Sequence, residues 1–425
     1  MAGGPIQSHA IVVPLFERFA PARLGQGFRW LTSSSWVGNV GDGIALSAGP
    51  LLIASETKSA FLVAAAAFLQ RLPWLLLGLP AGVIADRVDR RLLLVCSEAF
   101  RAFVIVLLAA SLLTGQVNVS WVLAAMLLLG VADVFSNTTA GTLLPMLVDN
   151  RELGLANSRM QGSVVVGQQL IGPPVGALLF SLGRAWPFLA QAVIVTAALI
   201  LVWQVGSRKV ISARPRSSRI RSEIRDGFRW LSGHPPVRTL ALVILSFNIT
   251  WGAAWSVLVL YALHHLHMSK VGYGLLTTSS AVGGMLAILL YRRLEQRWPL
   301  GNIMRACLTL EVCTHLSLAL NTEPGIALII MFVFGAYTFV WATVSTTVRQ
   351  RAVPRGLQGR VGSVYLVSVV GGIVLGQIAG GAIAQHWGIV APFWFAFVGS
   401  GLTLLLVWNQ LGAIAHTEPE QVRSA

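Results

Sequence analysis

The chain has 425 residues, of which 55% are hydrophobic and only 11% are charged, with a formal net charge of +15 at pH 7. An average soluble domain carries about 25% charged residues, so a water-soluble fold of this size could not be covered with polar surface by this composition. In a soluble protein the basic excess would suggest nucleic acid, but its placement along the chain assigns it to membrane topology instead.

Apolar runs of about 20 residues, the length that a ~30 Å hydrocarbon layer requires of a helix, follow one another almost from end to end. Twelve are found, at roughly 30–53, 60–85, 92–114, 119–147, 156–183, 186–206, 237–263, 271–291, 300–320, 325–348, 360–385 and 389–412. Backbone in lipid must be bonded within its own segment, and barrel strands would show short alternating stretches, so the spans are helices. The sequence therefore predicts an all-α membrane protein. Ahead of span 1, the apolar piece at residues 11–16 is broken by Pro14 and followed by Glu17 and Arg18. It is too short for a secretory leader, and none is expected.

Span 1 follows the pentapeptide GFRWL (27–31) and carries Asp42, twelve residues after Trp30. Span 2 carries Arg71, thirteen residues after Lys58, and span 4 carries Asp133, thirteen after Ser120. At 1.5 Å per residue all three lie about 18 to 20 Å into the bilayer, near the midplane. A charge there costs about 2.5 to 3.5 kcal/mol on insertion scales, so such residues face a cavity or one another. Arg71 is expected to keep one carboxylate ionised until a proton or a cationic substrate displaces it, which would link proton entry to substrate release. A structural ion pair that fixes helix packing is the plainer alternative. Glu98 with Arg101 in span 3 lies nearer the linker side of the bundle, and Glu311 with His315 in span 9 offers a second candidate site.

Between spans 2 and 3 stands GLPAGVIADRVDRRLLL, and span 5 contains GQQLIGPPVG. In the latter, Gly172 and Gly176 would let a neighbouring backbone approach closely, while Pro173 and Pro174 interrupt the hydrogen-bond ladder. The Arg-rich stretch around 207–236 separates six spans from six. GFRWL recurs in it at 227–231, and GQQLIGPPVGALLFSLGRAWPF (167–188) matches GIVLGQIAGGAIAQHWGIVAPF (372–393) at six positions, including Gly167/Gly372 and Gly176/Gly381. Duplication of a six-helix unit would account for both; the alternative for GFRWL is convergence of two interfacial anchors, each placed before the first span of its half. The expected organisation is a cytoplasmic segment 1–29, a bundle 30–206, a linker 207–236, a second bundle 237–413 and a tail 414–425.

Basic residues crowd alternate loops: Arg87, Arg90 and Arg91; Arg151 and Arg159; nine Lys or Arg from Arg208 to Arg238; Arg292, Arg293 and Arg297; Arg349, Arg351 and Arg355. The opposite loops hold only Lys58, Arg184 and Lys270. Both termini and the linker are therefore expected in the cytoplasm. Cys96, Cys307 and Cys313 fall in spans without metal or redox spacing. His264, His265 and His267 lie at the outer end of span 7 without nearby carboxylates and read as interfacial polar residues. No metal or cofactor is expected.

Two parallel six-helix repeats joined by a cytoplasmic linker are the plan of the major facilitator superfamily. Gly82, Asp86, Arg87, Arg90 and Arg91 resemble its loop signature G-x-x-x-D-R-x-G-R-R, with Asp89 where the second glycine is usual. Gly167, Gly172, Pro173 and Gly176 resemble the antiporter motif of drug-exporting members. With LLPMLVDNRELGLANS, GFRWLSGHPPVR and VPRGLQGRVGS, nearly the whole chain resembles the twelve-helix exporters that include the enterobactin exporter and macrolide efflux proteins. The resemblance implies a cytoplasmic gate at Asp86 and the arginines, and proton-driven export of a small organic molecule. The aromatic-rich spans (Trp36, Trp74, Phe135, Trp251, Trp255, Trp341) suit an amphipathic molecule. The chain lacks a G-x-x-x-x-G-K-[ST] loop, and no nucleophile and base are placed for an intramembrane hydrolase, so it is not expected to be an ATPase or an enzyme. Import on the same fold, or a membrane sensor or scaffold, are the alternatives. The expected partners are a small-molecule substrate, protons and lipid, with the monomer as the functional unit.

Single cysteines at Arg151, Arg219 and Arg355, in a background without the native three, should resist an impermeant thiol reagent in intact cells, while those at Lys58 and Lys270 should react. Labelling of Arg219→Cys from outside would reverse the topology.

Overall fold

The computed structural model describes residues 21–205, 220–354 and 357–411. The expected N-terminal segment up to residue 20, the linker at 207–219, the tail at 414–425 and Arg355 lie outside the described residues. The first bundle contains α1 (Gln26–Glu56), α2 (Ala60–Arg87), α3 (Arg90–Leu113), α4 (Val119–Leu147), α5 (Leu153–Leu182) and α6 (Trp186–Trp203). An amphipathic helix α7 (Ile220–Gly233) precedes the second bundle. That bundle contains α8 (Pro235–Trp255), α9 (Lys270–Arg297), α10 (Leu300–Leu320), α11 (Pro324–Ala352), α12 (Gln358–Trp387) and α13 (Ala391–Val407).

Among the described residues, eleven helices are long and apolar enough to cross a bilayer; α13 is apolar but has only 17 residues, at the short end of what a span needs. Most helices overrun their apolar stretch because polar residues extend and cap them. Ser59 caps α2 by accepting from Leu62 N–H, Asn118 caps α4 by accepting from Trp121 N–H, and Ser269 caps α9 by accepting from Gly272 N–H. Span 7 is less regular than its apolar run suggests. After α8 the chain breaks at Ser256 and Val257, and it resumes as Leu258–Leu260 and a π-helical turn, Tyr261–His265. Span 5 is also composite, with α-helix over Leu153–Ser163, a π-helical stretch over Val164–Ile171 and α-helix again over Gly172–Leu182.

The two bundles repeat one packing scheme. In the first, α1 packs on α5 and α6, α2 on α4, and α3 on α4 and α6; in the second, α8 packs on α12 and α13, α9 on α11, and α10 on α11 and α13. The closest seams correspond. A Cβ on Gly172 would lie 2.3 Å from Gly43 Cα, and one on Gly176 would lie 2.4 Å from Ile44 O, so α5 and α1 touch backbone to backbone. On α12, a Cβ on Gly376 would lie 2.2 Å from Ile249 O and one on Gly380 2.2 Å from Ala253 O, which closes α12 on α8 in the same way. In lipid, where apolar burial gives helices little reason to associate, such contact is the main cohesive device. Asn39 and Asn248 play matching parts: each donates its amide to the carbonyl four residues back, at 2.8 Å to Ser35 and 2.7 Å to Ile244, and each backs a glycine, Gly167 or Gly372.

Between bundles, α2 packs on α12 and α5 on α9. These are equivalent pairs under the repeat. Ser59 Oγ and Phe61 N–H both donate to Gln385 Oε1, at 3.0 and 3.3 Å. Ala64 meets Gly381, Pro173 and Ala177 meet Gly274, and Lys270 Nζ stands 5.0 Å from the centre of the Phe180 ring. All of these contacts are at the end of the bundles remote from the linker.

The repeated pentapeptide has two environments. In the first copy Phe28 and Leu31 are buried on the first turns of α1, in a core with Leu24, Leu94 and Leu144. In the second, on α7, Leu231 is buried against Val237, Val361 and Val364, while Phe228 is 61% exposed. The ring of Trp230 stacks on His234 at 3.8 Å.

Because the α1–α5 seam has no room for a methyl group, Gly172→Ala should lower stability by about 1 to 3 kcal/mol through overpacking. Gly154→Ala, on the same helix where a Cβ meets nothing within 4 Å, should not. Fluorescence-detected melting of the two purified variants measures the difference, and equal melting would show that the helices separate without penalty.

Candidate functional site

The helix packing brings α1, α3, α4, α5 and α6 around a cavity of about 280 Å³ that contains Asp42, Glu98, Arg101, Ser136 and Asn137. It extends from these residues toward the linker end, where Leu31, Leu94, Leu144 and Val202 border it. Arg101 and Glu98 are buried, at 8% and 7% exposure. The Arg101 guanidinium is the hub: its Nη2 is paired with Asp42 Oδ1, and its Nη1 stands 3.6 Å from Glu98 Oε2. The other Glu98 oxygen accepts from the Ser136 hydroxyl. Glu98 and Arg101 stand three apart on α3 and so share one face, which α1 meets with Asp42 and α4 with Ser136.

Asp133, one turn before Ser136, accepts from Trp74 Nε1 at 3.2 Å and from Asn137 Nδ2 at 2.9 Å. It is close enough to act electrostatically on both Glu98 and Arg101. Beside Asp42 a second network ties α1 to α5: Ser35 Oγ and Ser163 Oγ are 2.9 Å apart, and Asn39 Nδ2 donates to Ser163 Oγ at 3.0 Å.

The expected partnership of Arg71 with Asp42 or Asp133 is not found among the described residues. Arg71 is exposed, and it forms no ion pair with either carboxylate. Depth along a helix fixes height but not azimuth. Position 71 lies seven after Ala64, which meets Gly381, and four before Leu75, which lies against Gly371; that stripe of α2 faces the second bundle. Arg101 takes the partnership instead, so Glu98 and Arg101 are not a separate pair but share one site with Asp42. Glu311 stands apart, in the second bundle. Its carboxylate accepts from Tyr337 Oη at 2.6 Å and faces His315 Nε2 at 3.1 Å.

The side chain of Asp86 lies outside the described residues. The departure at Asp89 has a structural role, since Asp89 Oδ1 caps α3 by accepting from Leu92 N–H at 2.9 Å. Arg90 reaches Ala85 O at 3.2 Å and Met146 Sδ at 2.6 Å, while Arg91 donates to Trp203 O and lies over the Trp203 ring. These contacts fasten the loop to its own bundle. Arg87 is exposed, and a Cβ at Gly82 would meet nothing within 4 Å. In the span-5 motif, Gly167, Gly172 and Gly176 face α1, and Pro173 O accepts from Ser47 Oγ at 2.8 Å.

Ser136 and Tyr337 were not legible as partners. Ser136 could have been found three residues after Asp133, on the same face of α4 as far as a helix allows; nothing in the sequence joins Tyr337 to Glu311.

Two six-helix bundles with equivalent packing and a polar site inside the first define a major facilitator transporter, and not an enzyme. Residues 17–421 match the model of the transmembrane secretion effector family, and the chain belongs to that family. It is 27% identical over 398 residues to the multidrug efflux pump Tap of Mycolicibacterium fortuitum, covering 88% of this chain and 91% of Tap. It is 25% identical over 352 residues to the enterobactin exporter EntS of Escherichia coli O1:K1, covering 81% of this chain and 82% of EntS. Among solved structures it is similar to a mutant form of the nucleoside transporter NupG, with a TM-score of 0.74, 14% identity, and coverage of 92% of this chain and 100% of NupG. That last likeness is one of fold.

Removing one member of a buried ion pair costs about 3 to 5 kcal/mol because the other is left uncompensated. Arg101→Met should therefore reduce the yield of monodisperse protein sharply, and Arg101→Met with Asp42→Asn should recover part of the loss. A double variant no better than the single would separate the two side chains energetically.

Proposed function

We propose that this chain is a proton-coupled exporter of small amphipathic organic molecules. In this reading it acts as a monomer in a bacterial inner or plasma membrane, with both termini and the linker in the cytoplasm. The observation that carries the reading is the charge balance around Arg101. Asp42 and Glu98 pair with a single guanidinium and Asp133 lies one turn from Ser136 on the adjoining helix, so three ionised carboxylates against one cation would leave an excess of negative charge inside the membrane. A proton is the natural further counter-charge. It can be exchanged from a cavity that reaches one end of the bundle.

With the basic loops in the cytoplasm, the cavity faces inward and the bundles meet on the outer side, at Ser59, Phe61 and Gln385. This is the arrangement in which an exporter takes up its cargo. Arg90 and Arg91, held here by contacts within their own bundle, would engage the other when the inner side closes, and Asp86 is the residue proposed to complete that gate. A shift of about 1.4 kcal/mol between the two states changes their ratio tenfold, so a few hydrogen bonds on either face suffice to drive the cycle. The similarity to Tap, a multidrug efflux pump, and EntS, an enterobactin exporter, supports the outward direction.

In proteoliposomes with an imposed proton gradient, wild-type protein should move a drug or siderophore cargo uphill, and collapse of the gradient should stop it. Asp42→Asn and Asp133→Asn should each lose uphill flux but retain downhill exchange. If both variants still concentrate cargo, the proton is carried elsewhere and this cluster is structural; movement in the same direction as the proton would make the protein an importer.

A further inference from the structure

The second bundle has a cavity of its own, of about 220 Å³, that the coupling scheme does not use. Its walls are largely aromatic: Phe247, Trp251, Phe334 and Trp341 line it, with Tyr337 and the carboxylate of Glu311. The aromatic wall continues behind the cavity, where the Trp255 ring stands 4.4 Å from Phe334 and 5.6 Å from Trp251. Among the described residues, no Lys or Arg lines the cavity.

The hydrogen bonds show what Glu311 offers. Tyr337 Oη donates to Oε2 at 2.6 Å and His315 Nε2 meets Oε1 at 3.1 Å, so each oxygen has one partner. His315 is completely buried and its Nδ1 has no hydrogen-bond partner. Among the described residues Glu311 is thus held by a phenol and an imidazole, and no Lys or Arg stands beside it. Each of its oxygens retains a lone pair. Trp251 Nε1 is likewise buried without a partner.

A carboxylate with no Lys or Arg beside it, at the edge of an aromatic enclosure, is complementary to an organic cation, whose charge is drawn to both the ring faces and the carboxylate. We propose that this cavity is a substrate subsite for a flat aromatic cation, with Glu311 as its counter-ion, Trp251 and Trp341 as its stacking walls, and His315 and Tyr337 as positioning residues that hold the carboxylate. The inference rests on the reading of the chain as a transporter but not on the site of proton coupling. Asp42, Glu98 and Arg101 line a different cavity in the other bundle. Substrate recognition and proton exchange are thereby divided between the repeats.

The test is equilibrium binding of radiolabelled 1-methyl-4-phenylpyridinium to purified full-length protein in nanodiscs, with neutral 4-methylbiphenyl as a competitor of nearly the same shape. Wild type should bind the cation saturably. Glu311→Gln should weaken binding at least tenfold, and Trp251→Leu and Tyr337→Phe, the latter by releasing one oxygen of the carboxylate, should each weaken it by less. Each variant is scored only after size-exclusion and melting profiles match wild type; if Glu311→Gln fails that check, Glu311→Asp, with the charge withdrawn by one methylene, takes its place and should also bind more weakly. Absence of saturable binding to wild type, binding by a folded Glu311 variant as tight as wild type, or equal competition by 4-methylbiphenyl would overturn the proposal. Uphill flux assayed in parallel on the wild-type protein keeps the two readings apart: saturable binding that Glu311→Gln weakens, in a protein without proton-driven flux, would overturn the coupling scheme and leave this subsite standing, whereas proton-driven flux without saturable binding would overturn this subsite alone.

Discussion

The backbone-to-backbone contacts of α1 with α5 and of α8 with α12 are the constraint on which the rest of the molecule depends. Lipid tails are as apolar as the helices they surround, so burial of leucine and valine cannot select one partner helix over another. Contact between main chains can, because it fails as soon as a Cβ is interposed. Gly43, Gly172 and Gly176 on one side, and Gly376 and Gly380 on the other, fix two pairs of helices that the remaining spans then flank in the same order. Once α1 is set against α5, Asp42 has a defined height and direction, and the Arg101 site follows.

That site shows how a membrane interior accommodates charge. Arg101 keeps its proton under any physiological condition, so its surroundings must supply anionic groups. Asp42 and Glu98 reach it from α1 and α3, and Ser136 on α4 donates to Glu98, which makes the ion cluster a cross-link of three helices as well as a chemical site. The second bundle inverts the arrangement. There a carboxylate is held by a phenol and an imidazole, Tyr337 and His315, among aromatic rings. The two bundles thus differ in charge while keeping the same helix packing and even the same amide-to-carbonyl bond at Asn39 and Asn248.

Helix number and placement were legible because hydrocarbon thickness imposes a length that composition reveals directly. The glycine seams were legible as small-residue faces, though which helix each face met was not. The polar residues near mid-depth could be listed from spacing alone, but spacing gives only height. It therefore placed Arg71 with Asp42 and Asp133, whereas the packing turns Arg71 toward α12 and brings Arg101 to Asp42 in its place. Asp89 was conspicuous as a departure from a glycine, and its use as a helix cap follows from its position one residue before α3. The Glu311–Tyr337 bond joins two helices with no periodic relation between them, and only the tertiary structure could reveal it.

The π-helical stretch in α5 solves a problem of angular phase. Ser163 and Gly172 both face α1, one through Ser35 and Asn39 and the other through Gly43. At an α-helical advance of about 100° per residue, the nine residues from one to the other would turn the chain about 900°, leaving the two on opposite sides of the helix. A π-helix advances by only about 80° per residue, so a stretch of it over Val164–Ile171 brings the rotation close to two whole turns. The wide turn acts as a vernier: it lets one helix follow the same neighbour along its whole length, first with hydroxyls and then with bare backbone. It also marks where α5 could change its phase, since a π-turn that slipped by a few residues would rotate the Ser163 half relative to the Gly172 half without either leaving the membrane.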